Sequence, residues 1–309
     1  MEYSVYHDES KEDAFWHVFL FVPNESKSIV LKELRAAKEV TCLNLTDFSF
    51  KNIGSNNSIE CTRIWLSILC AALQQDDKNE MEPYYLGKDS IHCPVQRRKK
   101  PNHNNFTTSP KLKIAVFQQK NNHEDMEGFD NLINIETTFR MGLQGACSYL
   151  FNQENPLEIA QIILDREDHY QIAHGRDFDK NTVLSRLNRN FRTYCSLKNE
   201  CTISGNSIND DDQVFLDLAD LFLGTFRLGI LKPQEKFCSD KEKKKHPLCY
   251  NLKTLMQRLN KGGARMNNSR FNRFGTFSSA EIINGEWNFT DLSTDFLKFP
   301  SVENLNLFD

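Results

Sequence analysis

The chain has 309 residues, a length that suits one large domain with an extension or two small domains. Its 38 basic residues against 42 acidic ones give a net charge of -4, which excludes a histone-like or ribosomal type of basic protein. Hydrophobic residues make up 39% of the chain and 23 residues are phenylalanine, so the chain has enough apolar material to form a core.

The distribution of apolar residues predicts a protein without membrane-spanning segments. The longest apolar run, residues 64–73, is about half of the roughly 20 residues that span a bilayer. The first residues lack the basic and apolar regions of a signal peptide, and the 9 cysteines include no paired C-x-x-C spacing. We therefore expect a cytoplasmic protein with reduced thiols.

Strands and helices alternate along the first part of the chain. Aromatic and β-branched residues, or alternation of apolar with polar ones, predict strands at 3–7, 15–22 and 43–50. Helical spacing of apolar residues predicts helices from about residue 26 to 40 and over 59–73. The polar run between the first two strands predicts a hairpin turn.

The pattern breaks at about residues 76–110, where Arg97 to Lys100 form a basic run among prolines and polar residues. This composition predicts a long basic surface insertion. Beyond it, strands are predicted at 113–118, 159–165 and 201–204, and helices at 132–151, 182–197 and 211–231. Alternation of this kind predicts an α/β core, over residues 1–231, in which helices cover a sheet. The irregular segment 232–309 is expected to be a C-terminal extension that contacts nucleic acid or a partner.

Acidic residues follow the first predicted strand. Asp8 and Glu9 are adjacent, and side chains of a strand alternate between its two faces, so only one of the two is expected to point at a common site. Tyr6 and Asp8 share one side, His7 and Glu9 the other, and we favour Asp8 as the site residue. The alternative is a polar turn after an edge strand.

A second acid, Asp165, directly follows the apolar run Ile162 to Leu164. Runs of this type are typical of strands covered on both faces, and ligands of α/β sheets gather outside the carboxyl ends of such strands. Asp165 is therefore a candidate site residue. A turn or helix-cap aspartate is the alternative.

The helix predicted over residues 211–231 is apolar around most of its circumference but carries one narrow polar stripe. The stripe contains Gln213, Asp217, Asp220 and Gly224. Carboxylates on a largely buried helix are costly unless positive charge meets them, although a solvated stripe remains an alternative. Gly224 favours close approach of backbone or ligand, because a mid-helix glycine costs about 1 kcal/mol relative to alanine.

Acids at strand ends and on a helix suit a hard cation with oxygen ligands. Mg²⁺ or Mn²⁺ is typically held by a few carboxylates together with water and substrate phosphate oxygens. Such ions can activate water and stabilise the leaving oxygen of a phosphodiester. The pattern is therefore compatible with phosphodiester hydrolysis.

Three segments of the sequence resemble one bacterial family, the domain of unknown function family 3800. They are Val-Tyr-His-Asp-Glu-Ser at 5–10, Ile-Ile-Leu-Asp-Arg at 162–166 and Leu-Asp-Leu-Ala-Asp-Leu-Phe-Leu-Gly at 216–224. The family is regarded as RNase H-like, a fold of mixed sheet and flanking helices that metal-dependent nucleases share. The resemblance, over about residues 1–231, implies metal-binding acids at Asp8, Asp165 and Asp220, with Asp217 an additional ligand and Glu9 a supporting residue. This chain departs from the family in having Asp217 where a glutamine is common, and the basic insertion has no counterpart.

Basic residues are candidates for contact with a nucleic-acid substrate. Arg265, Arg270 and Arg273 interleave with phenylalanines, a composition suited to phosphate contact and base stacking. Lys51 ends the segment 47–51, which looks like a short strand of the family, and is a further candidate. Solvated loops are the alternative explanation of these residues.

The leading hypothesis is a metal-dependent nuclease that acts on DNA or RNA with Mg²⁺ or Mn²⁺. A setting in phage defence rests on the family association alone. The alternative is a non-catalytic RNase H-like module that binds nucleic acid or a protein. A third hypothesis is an effector that a protein partner unmasks, and a homo-oligomer is also open.

Overall fold

A computed structural model describes residues 1–11, 14–43, 48–73, 111–120, 135–165, 179–205, 208–261, 274–284 and 286–297. The predicted basic insertion lies almost wholly outside these residues, and so do the three arginines Arg265, Arg270 and Arg273. The bounds of helices and strands refer to the backbone, and side chains are described only for residues within these ranges.

One sheet of seven strands organises the described residues. The strands are β1 (Glu2–Ser10), β2 (Ala14–Pro23), β3 (Lys113–Lys120), β4 (Leu157–Leu164), β5 (Cys195–Ser204), β6 (Gly275–Ile283) and β7 (Glu286–Asp291). Their order is β5-β4-β1-β2-β3-β6-β7. β2 is antiparallel to β1 and β3, β4 is parallel to β1 and β5, β6 is parallel to β3, and β7 is antiparallel to β6. The prediction of an α/β protein with a mixed sheet is thus confirmed.

Helices cover both faces of the sheet. They are α1 (Lys27–Val40), α2 (Asn56–Leu73), α3 (Ile135–Leu150), α4 (Lys180–Asn190), α5 (Asp210–Leu231), α6 (Asp240–Lys245) and α7 (Pro247–Lys261). Apolar side chains of α1, α2, α5 and α7 share one hydrophobic cluster, and those of α3 and α4 share another. We call the two sides of the sheet the α5 face and the α3 face.

Alternation along the central strands separates the two clusters. Tyr6 of β1 and Ile163 of β4 are buried on the α5 face, whereas Val5 and Ile162 are buried on the α3 face. Because both faces are covered, these strands read as almost continuous apolar runs in the sequence. The first polar side chains after such runs therefore lie where the strands leave the core.

Helix α5 lies against β1 and carries the polar stripe that the sequence indicates. Its first turn is capped by Asn209, whose side-chain oxygen accepts from the Asp212 N–H at 2.8 Å. Phe215 stacks on Tyr6 with ring centroids 4.9 Å apart. Burial on nearly all sides explains why the helix is apolar around most of its circumference.

Two predicted elements differ from the structure. The strand predicted over 43–50 is absent from residues 43 and 48–50, the part of that range that the structure describes. The helix predicted over 182–197 ends at Asn190, because Phe191 has an extended backbone with φ -71° and ψ 151°. Cys195 then begins β5, which pairs with β4, so sheet pairing overrides the helical spacing of the sequence.

The segment predicted as a C-terminal extension supplies two strands of the same sheet. β6 pairs with β3, and Gly229 of α5 accepts a backbone hydrogen bond from Leu297 at 3.0 Å. Among the described residues, no helix is long and apolar enough to cross a membrane. No disulfide joins the cysteines of those residues.

Gly224 of α5 is tightly packed, whereas Gly145 of α3 has open space around it. A Cβ atom at Gly224 would lie 2.1 Å from Cγ of Phe50, whereas one at Gly145 of α3 would have nothing within 4 Å. We expect Gly224→Ala to lower the free energy of unfolding by about 1–3 kcal/mol, because Phe50 must move. Gly145→Ala should raise it by up to about 1 kcal/mol, because alanine favours the helix. Urea denaturation of both variants measures the difference, and equal effects would contradict the packing described here.

Candidate metal centre

Parallel pairing of β1 with β4 places two of the predicted acids next to each other. His7 pairs with Leu164, and the Asp165 N–H donates to the His7 carbonyl oxygen at 3.1 Å. The ladder therefore continues to Asp8 and Asp165. Residues opposite each other in a parallel pair point to the same face, so both acids lie on the α5 face with Tyr6.

Helix α5 adds a third acid, Asp220. The pKa of Asp8 is raised well above its ordinary value, first because the carboxyl group is buried and then because the charges of Asp220 and Asp165 repel its ionised form. This electrostatic coupling places the three carboxylates in one neighbourhood. The structure thus brings together the three acids that the resemblance implies as metal ligands.

The surroundings of Asp220 include Lys245, whose place beside this acid the sequence could not indicate. The Phe50 N–H donates to Asp220 Oδ2 at 2.5 Å, and the Lys245 Nζ of α6 donates to the Phe50 carbonyl oxygen at 2.5 Å. Burial lowers the pKa of Lys245, and the charge of Asp220 opposes that shift. Lys245 belongs to the basic run 243–245, but only its packing distinguishes it from its exposed neighbours.

Lys51, a predicted substrate contact, is exposed. Its carbonyl oxygen lies 3.4 Å from Lys245 Nζ, so its backbone contributes to the neighbourhood of Lys245. Lysine 245 supplies the buried positive charge near Asp220 instead.

Asp217, the additional acid of the stripe, contacts residues of α1 and its own helix. Its carboxylate accepts from Gln213 at 2.8 Å and pairs with Lys38 at 3.5 Å. Lys38 also lies over the ring of Trp65, with 4.9 Å between Nζ and the ring centroid. One stripe of α5 therefore carries two acids with different partners.

Another acid of α5, Asp212, was missed by sequence reasoning. It accepts a hydrogen bond from the Tyr6 hydroxyl at 2.7 Å and pairs with Lys27 at 2.6 Å. These contacts tie the start of α5 to β1 and α1. Asp212 thus supports the position of the helix that carries Asp220.

An arginine lies farther along the same helix stripe. Arg227 Nη1 donates to Ser10 Oγ at 2.6 Å, and its guanidinium lies 5.8 Å from the centroid of the Trp16 ring. Ser10 is two residues after Asp8, so it follows Asp8 on the same side of β1. Arg227 therefore adds a second cationic group on the α5 face, besides Lys245.

Glu9 does not join the three acids. It lies on the α3 face, where its carboxylate and one ring nitrogen each of His7 and His17 lie within 4.8 Å of one another. The alternation of a strand explains the separation, as the sequence indicates.

The three clustered acids suit a divalent cation. Oxygen donors are the ligands that Mg²⁺ and Mn²⁺ prefer, and a bound cation would offset the repulsion that raises the pKa of Asp8. Asp8, Asp165 and Asp220 are the residues that would hold it.

The raised pKa of Asp8 makes stability depend on pH. The folded chain binds the proton of Asp8 more tightly than the unfolded chain, so this stabilisation is present at low pH and is lost as pH rises above the ordinary value of 3.8. In metal-free buffer at pH 7 we expect Asp8→Asn to unfold at higher denaturant concentration than the unsubstituted chain. The difference should shrink towards pH 4.

The matched control for this measurement is Asp211→Asn. Asp211 is a half-exposed residue in the first turn of α5 that pairs with Arg35, so its substitution should change the free energy of unfolding little. Loss of stability in Asp8→Asn at pH 7 would contradict a repulsive cluster of acids.

Comparison of the chain with models of known protein families, with curated proteins and with solved structures gave no match. The resemblance to the bacterial family therefore stays a prediction.

Proposed function

We propose that the chain is a metal-dependent nuclease with an RNase H-like core that hydrolyses phosphodiester bonds of DNA or RNA. The observation that carries the proposal is the convergence of Asp8, Asp165 and Asp220. Asp8 belongs to the first strand, β1. Asp165 directly follows the central parallel strand β4, and Asp220 belongs to the long helix α5, which ends at Leu231. These are the three places from which the resemblance expects metal ligands.

The sheet topology supports the same assignment. The strands β3, β2, β1, β4 and β5 are adjacent in that order, and β2 alone runs opposite to the other four. The resemblance implies a mixed sheet flanked by helices, and these strands form such a sheet. β6 and β7 extend the sheet beyond β3, at the edge far from β4.

Different residues of the chain would have different roles in the proposed reaction. Asp8, Asp165 and Asp220 would hold Mg²⁺ or Mn²⁺, which supplies activation of water and stabilisation of the leaving oxygen. Lys245 and Arg227 provide positive charge near the carboxylates, and an anionic backbone needs such charge to approach three acids. The buried position of Asp8 limits the water around the site and strengthens these interactions.

Further parts of the proposal rest on residues or properties beyond this site. Arg265, Arg270 and Arg273 remain predicted substrate contacts outside the described residues, and Lys51 is an exposed candidate. Asp217 remains a candidate additional ligand. The cytoplasmic location, a role in phage defence, and a protein partner or homo-oligomer likewise remain part of the proposal.

One observation favours the alternative of a non-catalytic binding module. Asp220 accepts from the Phe50 N–H at 2.5 Å, so its carboxylate also has a structural use. In such a module the acids would anchor the segment around Phe50 and would bind no metal. The two functions differ in what neutral substitutions do.

The nuclease proposal predicts that Asp165→Asn and Asp220→Asn each lower Mg²⁺-dependent cleavage by more than about 100-fold. Loss of residues that only orient metal ligands already costs 10- to 100-fold, so loss of a ligand should cost more. Cleavage of single-stranded and duplex DNA and RNA in Mg²⁺ and in Mn²⁺ measures the effect. Asp217→Asn should lower the rate less than Asp220→Asn, because Lys38 pairs with Asp217.

Asp211→Asn serves as the control for these variants, because Asp211 pairs with Arg35 at the exposed start of α5. Its cleavage rate should equal that of the unsubstituted chain. Undiminished cleavage in folded Asp165→Asn would overturn the nuclease proposal. Binding of nucleic acid without cleavage by the unsubstituted chain would support the binding module, and cleavage only with a partner protein would support the unmasked effector.

A further inference from the structure

A second group of metal-ligand side chains lies on the α3 face, on the other side of β1 from the acidic centre. Glu9 of β1 pairs directly with His17 of β2, and His7 precedes Glu9 by two residues. These positions share one face because a strand alternates its side chains with a period of two. Two imidazoles and one carboxylate therefore meet at neighbouring rungs of an antiparallel ladder.

The distances within this group match a single binding site. His7 Nε2 and His17 Nδ1 are 2.9 Å apart, and ligand atoms of the three residues all lie within 4.8 Å of one another. Zn²⁺ bound to imidazole nitrogens at 2.0–2.1 Å in tetrahedral geometry separates two such nitrogens by about 3.4 Å. The pair needs to open by roughly half an ångström to admit an ion.

The outer hydrogen bond of His17 has the form that metal-bound histidines use. His17 Nε2 lies 2.7 Å from Thr138 Oγ1 of α3, which leaves Nδ1 directed at His7. A second partner on the far ring nitrogen fixes the tautomer and the orientation of a ligating imidazole. Thr138 is itself fully buried, so this partner is fixed by the packing of α3 on the sheet.

Packing also fixes the ring of His7. The His7 ring lies 4.9 Å from the centroids of Phe19 and Phe139, in a tilted and an edge-to-face arrangement. Burial lowers the pKa of His7, and it lowers the pKa of His17 to about 3.

We propose that His7, Glu9 and His17 bind one first-row transition-metal ion of the Zn²⁺ type, at a site separate from the acidic centre. Two neutral imidazoles and one carboxylate leave an ion with a charge of about +1, and imidazole ligands select Zn²⁺ over Mg²⁺. The three oxygen donors of the acidic centre have the opposite preference. Consecutive residues His7, Asp8 and Glu9 would thus serve two ions of different chemistry on two faces of β1.

An ion at this site would connect β1 and β2, with α3 attached through Thr138. Asp8 lies between two of the proposed ligands, so the bound ion would hold the strand segment that carries Asp8. The alternative is a hydrogen-bonded chain from Thr138 through His17 to His7 that stabilises the fold and binds no metal.

Zn²⁺ titration of the full chain in excess Mg²⁺ tests the proposal. The chain is stripped with a chelator, kept reduced, and titrated by calorimetry, with bound Zn²⁺ counted after equilibrium dialysis. Glu9→Gln, His17→Asn and Thr138→Val are compared with the unsubstituted chain. We expect one Zn²⁺ fewer in His17→Asn, and affinity about 10- to 100-fold lower in Thr138→Val, which removes only the outer hydrogen bond.

Three controls make the outcome decisive. Glu39→Gln, at an exposed position of α1, should bind Zn²⁺ as the unsubstituted chain does, and Zn²⁺ held by cysteine thiols should appear equally in all variants. Circular dichroism checks that each variant is folded. If His17→Asn does not fold, Glu9→Gln and Thr138→Val still test the proposal. Zn²⁺ binding that is absent, or equal in all variants, would overturn the proposal.

Asp165→Asn separates this proposal from that of a nuclease. It should retain the Zn²⁺ site while it loses Mg²⁺-dependent cleavage. Loss of Zn²⁺ binding in Asp165→Asn but not in Glu9→Gln would assign the ion to the acidic centre and would overturn the second site.

Discussion

The burial of β1 on both faces is the constraint on which the other features depend. The strand lies at the centre of the sheet, paired with β2 on one side and β4 on the other, so its side chains can point only towards α5 or α3. Each side chain near its carboxyl end therefore points to only one of the two faces. Asp8 is committed to the α5 face and Glu9 to the α3 face, and each meets a different set of partners there. A change of one residue in the register would exchange these sets.

The cost of bringing carboxylates together explains the arrangement around α5. Buried ionised acids are unfavourable, and the pKa of Asp8 is raised first by burial and then by the charges of Asp220 and Asp165. The neighbouring groups reduce that cost only in part. Asp220 has the Phe50 N–H as a hydrogen-bond donor and Lys245 as a nearby cation, and Asp212 is neutralised by Lys27. In the proposed function, a divalent cation would relieve the remaining repulsion.

The helix α5 could be understood from the sequence because its pattern is local. A period of 3.6 residues places Asp220 and Gly224 on one stripe, and a glycine there predicts close approach. In the structure the ring of Phe50 occupies that space. Local patterns were less informative near Phe191, where pairing with β4 extends the strand into a segment with helical spacing. The residues that meet Asp220 could not be predicted, because Phe50 and Lys245 are distant from it in the chain.

The sequence by itself determined the α/β class, the apolar strands with acids at their ends, and the separation of Asp8 from Glu9 by strand alternation. These follow from composition and from periods of two and 3.6 residues, which depend only on neighbours along the chain. The tertiary structure decided the strand order, the inclusion of β6 and β7 in the same sheet, and the partners of each acid. It also decided that His17 meets His7 and Glu9, because pairing between β1 and β2 sets which side chains become neighbours.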